Sequence, residues 1–124
     1  MGTAATESHF QYVKQIGGPA LGLFQMELAT HDDIWDNYLG YRHELAGRIA
    51  IACDLASDPP DGERLVWDLR YACIMARVHY LRAPESLPDA EDIYAQGRLW
   101  KHRYNTIHGK GTVEKYVADN GRFL

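Results

Sequence analysis

One glutamate near the start of the chain and a glycine-rich segment after it carry side chains that could do chemistry. Glu7 is followed by Ser8, and fifteen residues after Glu7 the residues 22–25 read Gly-Leu-Phe-Gln. A single carboxylic acid can protonate a leaving oxygen, and desolvation raises its pKa so that it stays protonated near neutral pH. Taken alone, Glu7 would be a solvated helix residue and Gly22 a turn glycine. The glutamate and the glycine-rich segment together favour a catalytic site.

Three segments in this order resemble the lytic transglycosylase family of lysozyme-like enzymes, which includes relatives of goose-type lysozyme. The first is the Glu-Ser pair with its Gly-Leu-Phe-Gln partner, the second is Arg-Val-His-Tyr-Leu at 77–81, and the third is Tyr104-Asn105 with glycines after it. The resemblance covers residues 7–117. The chain departs from the family in lacking a proline after Met26 and in having the last glycines displaced by two residues.

The resemblance implies a peptidoglycan lytic transglycosylase that cleaves the bond between N-acetylmuramic acid and N-acetylglucosamine. Glu7 would be the general acid and then the base, taking the proton of the C6 hydroxyl as a 1,6-anhydro ring closes. Most glycosidases use a second carboxylate, but this family relies on the substrate's N-acetyl group. Asp32 and Asp33 could supply one, although their place in the first turn of a predicted helix accounts for them.

The resemblance also assigns substrate binding to five residues: Ser8, Gly22, Gln25, Tyr104 and Asn105. Ser8 would support the hydrogen bonding of the site, Gln25 would bind the N-acetyl sugar, and Gly22 would let the backbone approach the sugar closely. Tyr104 and Asn105 would lie in the groove, with Tyr104 near Glu7. Tyr104 as a core aromatic, and Gln25 as a turn cap, remain alternatives.

Other functions stay open beside this one. A helix of under two turns is marginal unless it is packed, so Glu7, with only six residues before it, could be poorly held. The domain would then be a catalytically silent glycan-binding or phage virion module. A hydrolytic lysozyme and a small all-α domain unrelated to sugars are the further alternatives.

Composition limits the partners. The 124 residues suit one domain, residues 1–124, and 13 Lys+Arg against 17 Asp+Glu give a net charge of −4. This balance argues against a general nucleic-acid or anionic-membrane binder. The six histidines have no spacing typical of a metal site, and no cofactor is expected. Self-association and virion partners are left open.

The start of the chain carries no secretory signal, and no apolar run is long enough to span a membrane. We therefore expect a protein that is cytoplasmic when synthesised. Because peptidoglycan lies outside the cytoplasm, cell-wall action would require phage lysis or virion delivery. Cys53 and Cys73 each lie in an apolar stretch and are expected to be buried free thiols.

Helical periodicity predicts a mainly α, lysozyme-like domain with about six helices and little or no β structure. Thr30 is the expected N-cap of the second helix. The fourth helix has a wide apolar stripe, which predicts that it is nearly surrounded. The predicted helices span 3–14, 31–41, 43–56, 63–82, 90–104 and 112–119.

Overall fold

Seven α-helices and one two-stranded antiparallel sheet form most of residues 1–123, the part of the chain that the computed structural model describes. A 3-10 turn follows α2, and a π-helical segment, Lys101–Asn105, follows α6. The mainly α prediction is therefore confirmed. The elements are α1 (Gly2–Ser8), β1 (Ala20–Leu21), β2 (Met26–Glu27), α2 (Leu28–Asn37), α3 (His43–Cys53), α4 (Arg64–Trp67), α5 (Leu69–Leu81), α6 (Ile93–Trp100) and α7 (Val113–Phe123).

The first helix is shorter than predicted and is covered by the last one. It ends at Ser8 because His9 and Phe10 both adopt left-handed backbone conformations, with φ of 52° and 56°. Nearly every residue of α1 is buried, and α7 packs along it. At Gly2 a Cβ would lie 2.0 Å from the Tyr116 hydroxyl oxygen, so the two helices approach closely. Packing therefore supports a helix that is too short to be stable alone.

The long fourth helix of the prediction is two helices, because Asp68 interrupts it. Asp68 has extended backbone angles, and its carboxylate accepts a hydrogen bond from the Tyr71 backbone N–H at 3.0 Å. This is an N-cap, which starts α5 anew. One face of α5 is buried around Tyr71 and Met75, whereas Cys73 and Arg77 are exposed. The prediction that this helix is nearly surrounded is therefore wrong.

The second helix begins three residues earlier than predicted, at Leu28, so Thr30 lies inside it and is not the N-cap. The side chains of His31 and Trp35 fix α2 to α5. His31 Nε2 lies 2.7 Å from the Tyr71 hydroxyl oxygen, and the indole N–H of Trp35 donates to the same oxygen at 2.8 Å. All three residues are buried, which makes the tyrosine hydroxyl a polar junction inside the core.

The remaining differences lie at helix ends and at one cysteine. The third helix ends at Cys53 and the last spans Val113–Phe123, while the predicted helix 90–104 is α-helical only to Trp100. Both cysteines are free, but Cys73 is exposed rather than buried. Within residues 1–123, every helix is too short or too polar to cross a membrane.

Gly22 allows the turn between β1 and β2 to rest on the backbone of α4. Its φ is +73°, and a Cβ there would lie 2.2 Å from the Leu65 carbonyl oxygen. Gly17 has a nearly identical φ of +72°, but an added Cβ would meet nothing within 4 Å. A substitution at Gly17 would therefore cause backbone strain alone, whereas one at Gly22 would cause strain and a steric collision.

We predict that Gly22→Ala lowers the free energy of unfolding by roughly 2–4 kcal/mol, because strain and collision add. Gly17→Ala, which carries the strain alone, should cost roughly 1 kcal/mol. Urea unfolding followed by circular dichroism measures both values. Equal losses in the two variants would contradict the packing of Gly22 on α4.

Candidate active site

A cleft of about 660 Å³ opens beside the end of α1. Four of the six residues predicted for the site line it: Glu7, Gln25, Tyr104 and Asn105. They come from three places in the chain, namely α1, the turn before β2, and the last two residues of the π-helical segment. The fold thus brings the first and third sequence motifs to one cavity.

Glu7 lies at the inner side of this cleft and is largely shielded from water. Its Oε1 accepts a hydrogen bond from the Trp100 indole N–H at 2.9 Å. Burial raises the pKa of Glu7, and this effect outweighs the Trp100 hydrogen bond and the positive charge of Lys115, which both lower it. The carboxyl group therefore holds its proton to a higher pH than an ordinary glutamate does.

Tyr104 closes one end of the cleft and also belongs to the core. Its hydroxyl donates to the Phe24 carbonyl oxygen at 2.7 Å, which ties the π-helical segment to the turn before β2. Its ring stacks on Tyr80 with centroids 5.5 Å apart and meets His79 edge-on at 4.9 Å. Burial raises the pKa of Tyr104 well above its usual value, so the hydroxyl stays protonated. Tyr104 therefore lines the cleft and also packs against the core.

Gln25 lines the cleft and also caps a turn. Its backbone is left-handed, with φ of 48°, and its Nε2 donates to the Gly22 carbonyl oxygen at 2.9 Å. The amide nitrogen therefore caps the turn. The side-chain carbonyl oxygen has no hydrogen-bond partner among residues 1–123, which leaves an acceptor at the cleft.

Asn105 lies in a loop that one lysine fastens. The Lys101 ammonium donates to Asn105 Oδ1 at 2.9 Å, to the Thr106 carbonyl oxygen at 2.9 Å and to the Gly109 carbonyl oxygen at 2.8 Å. An ammonium has three donors, so all are used. A Cβ at Gly109 would lie 2.3 Å from Asn105 Oδ1. The displaced glycine thus lets the loop fold back over Asn105.

The other two predicted site residues, Ser8 and Gly22, lie outside the cleft lining. Ser8 is 1% exposed, and its hydroxyl donates to the Ala4 carbonyl oxygen at 3.1 Å within α1. Gly22 makes its close approach to the Leu65 carbonyl oxygen instead of to the cleft. Both residues therefore have partners inside the fold, in contrast to the sequence expectation.

The cleft also holds a second carboxylate, which sequence reasoning placed elsewhere. Glu27 is exposed, lines the cleft and precedes α2. Asp32 and Asp33 do not line it, since they pair with His31 at 2.8 Å and with Arg82 at 2.5 Å. The signal for Glu27 was its position directly after Met26, where the chain departs from the family pattern.

Trp100 is the other residue whose place the sequence did not reveal. The three tryptophans could have been core residues or sugar platforms, and nothing in their spacing distinguishes them. Trp35 and Trp100 are buried, whereas Trp67 is 68% exposed. Of the three, Trp100 alone hydrogen-bonds Glu7 within residues 1–123.

His79 contributes a neutral ring to the cleft wall. Burial, together with the nearby charge of Arg82, lowers its pKa to about 4. The Arg82 guanidinium donates to His79 Nδ1 at 3.0 Å, which favours the neutral ring. At neutral pH this side chain therefore adds no charge beside Tyr104.

Since the folded pKa of His79 lies below its unfolded value of 6.5, folding is favoured above pH 6.5 and this advantage is lost as the pH falls to about 4. We predict that His79→Gln removes up to about 3 kcal/mol of this acid-dependent loss. Urea unfolding between pH 4 and 7 measures it. The exposed His102→Gln variant should keep the wild-type pH dependence, and identical curves for both variants would contradict the burial of His79.

No group of three or more His, Cys, Asp or Glu side chains in residues 1–123 is placed to hold a metal ion. Comparisons of the chain with protein-family models, with curated proteins and with solved structures found no match. The lytic transglycosylase assignment therefore stays a prediction from the sequence. The arrangement itself offers one proton-holding carboxyl group in a cleft lined by an amide, a tyrosine and an asparagine.

Proposed function

We propose that the protein is a peptidoglycan lytic transglycosylase, with Glu7 as its acid and base. The observation that carries the proposal is the shielded Glu7 carboxyl group, whose pKa burial raises, at a cleft that Gln25 and Tyr104 also line. These residues are far apart in sequence and carry the family resemblance. Their meeting in one cavity supports a common site.

The reaction would use one carboxyl group twice. Glu7 gives its proton to the glycosidic oxygen as the bond from that oxygen to the sugar C1 breaks. The substrate's N-acetyl oxygen stabilises the positive charge that develops at C1. The Glu7 carboxylate then takes the proton of the C6 hydroxyl as O6 bonds to C1. This closes the 1,6-anhydro ring and returns Glu7 to its protonated form.

The other lining residues fit an uncharged polar sugar. Gln25 offers a free carbonyl oxygen, which can accept the N–H of an N-acetyl group. Asn105, whose Oδ1 accepts from Lys101, leaves its Nδ2 as a donor in the same cleft. Some of the residues that line the cleft, among them Ile16 and Glu27, are exposed to solvent, which suits entry of a glycan strand.

Action on peptidoglycan requires access to the cell wall, which lies outside the cytoplasm. We propose that the protein reaches the cell wall during phage lysis or with a virion. Glycan strands are the proposed partner. A catalytically silent glycan-binding or virion module is the competing function in a different class, and the next experiment separates the two.

We predict that Glu7→Gln abolishes glycan cleavage but keeps glycan binding, because the amide has no proton to transfer and nearly the same shape. The measurement is mass spectrometry of purified sacculi after incubation with each protein. A 1,6-anhydro product present with wild type and absent with the variant supports the proposal. Binding without any product from wild type would replace the enzyme by the silent module.

The same variant reports on its own folding. Because the folded pKa of Glu7 is raised, its ionisation opposes folding as the pH rises through that pKa. Gln does not ionise, so we expect Glu7→Gln to be more stable than wild type above that pH. Loss of cleavage in a stabilised variant cannot be attributed to unfolding.

Glu27 supports hydrolysis as a second candidate reaction, since a second carboxylate in the same cleft can activate water. For a transglycosylase we predict that Glu27→Gln retains the 1,6-anhydro product at a rate within a few-fold of wild type. The same mass spectra measure it, with Glu44→Gln as the matched control, since Glu44 on α3 is exposed and lies outside the cleft lining. A wild-type product heavier by one water, lost in Glu27→Gln but kept in Glu44→Gln, would establish a lysozyme.

A further inference from the structure

The Trp100 side chain donates a hydrogen bond to the Glu7 carboxyl group. Trp100 is the last residue of α6, it is 2% exposed, and its indole N–H lies 2.9 Å from Glu7 Oε1. The two partners are 93 positions apart in the sequence, so only the tertiary fold brings them together. An indole N–H donates and cannot accept, which fixes the direction of the bond.

Packing on two sides holds the indole ring in place. Its ring lies 5.4 Å from that of Tyr116 on α7. On another side the loop passes so close that a Cβ at Gly111 would lie 2.3 Å from Trp100 Cη2. Since the ring cannot swing away, the direction of its N–H is set before any ligand arrives. Preorganised donors of this kind need no rearrangement during a reaction.

We propose that Trp100 is a positioning residue that gives the two oxygens of Glu7 different tasks. Oε1, bound by the indole N–H, is the carbonyl oxygen of the neutral acid, and Oε2 carries the proton that is transferred. This inference rests on the proposed function for its catalytic consequence. The assignment of the two oxygens rests on the hydrogen bond alone.

The hydrogen bond and the burial of Glu7 act in opposite directions. Burial raises the pKa of Glu7, and the Trp100 hydrogen bond lowers it because a donor favours the charged carboxylate. Removing the donor should therefore raise the pKa further. It should also let the proton reside on either oxygen, including the one that faces α6.

The experiment compares two Trp→Phe variants. Trp100→Phe removes the donor to Glu7, whereas Trp35→Phe removes an equally buried indole donor that binds the Tyr71 hydroxyl at 2.8 Å. Carboxyl ¹³C shifts measured against pH give the midpoint of the Glu7 titration directly, without any substrate. We expect the midpoint to move to higher pH in Trp100→Phe and to stay unchanged in Trp35→Phe.

Activity supplies the second readout. In Trp100→Phe the alkaline limb of the pH–rate profile should move to higher pH with the titration. The plateau rate should fall by about twofold, because a proton shared between both oxygens lies on Oε2 in only half of the molecules. In Trp35→Phe the profile should keep its midpoint. If wild type cleaves no glycan, the proposed function fails, but the titration still tests the hydrogen bond.

A measurement on the wild-type side chain covers the case in which Trp100→Phe does not fold. The indole ¹H and ¹⁵N resonances of Trp100 should shift as Glu7 titrates, and the shift should vanish in Glu7→Gln. An indole resonance that ignores the Glu7 titration, or a Glu7 midpoint that is the same in Trp100→Phe and wild type, would overturn the proposal.

Discussion

A helix of seven residues does not persist alone in water, and α1 keeps its shape because α7 covers it. The close approach at Gly2, where the Tyr116 hydroxyl occupies the space of a side chain, sets how tightly the two helices pack. Everything proposed for Glu7 depends on this contact. The carboxyl group is shielded only because its helix is held against the last third of the chain.

The same region connects the site to the rest of the molecule. Trp100 contacts the Tyr116 ring on α7 and hydrogen-bonds Glu7 on α1, so this one side chain of α6 joins both helices. On the other side of the cleft, Tyr104 hydrogen-bonds the turn before β2. The cleft walls are thus tied to one another by direct side-chain bonds, although they come from opposite ends of the sequence.

Much of this arrangement could be predicted from residue types, and the rest depends on contacts that one sequence does not display. Periodicity predicted the helical class. The motifs predicted that Glu7, Gln25 and Tyr104 share one groove, and all three line the same cleft. The helix break at Asp68 could not be predicted, because an aspartate can lie within a helix or can cap a new one, and the sequence does not distinguish the two. Trp100 was hidden because its partner lies 93 residues away.

The π-helical segment Lys101–Asn105 has a consequence for how the chain tolerates change in length. Such a segment widens one turn, commonly at functional sites. Removing a single residue here would let α6 continue as an ordinary α-helix, and each position after the deletion would turn by roughly 100° about the axis. The Tyr104 hydroxyl would then lose its hydrogen bond to the Phe24 carbonyl oxygen, and the Lys101 ammonium would lose its acceptors in the loop. The number of residues in this segment is therefore more tightly constrained than the identity of most of them.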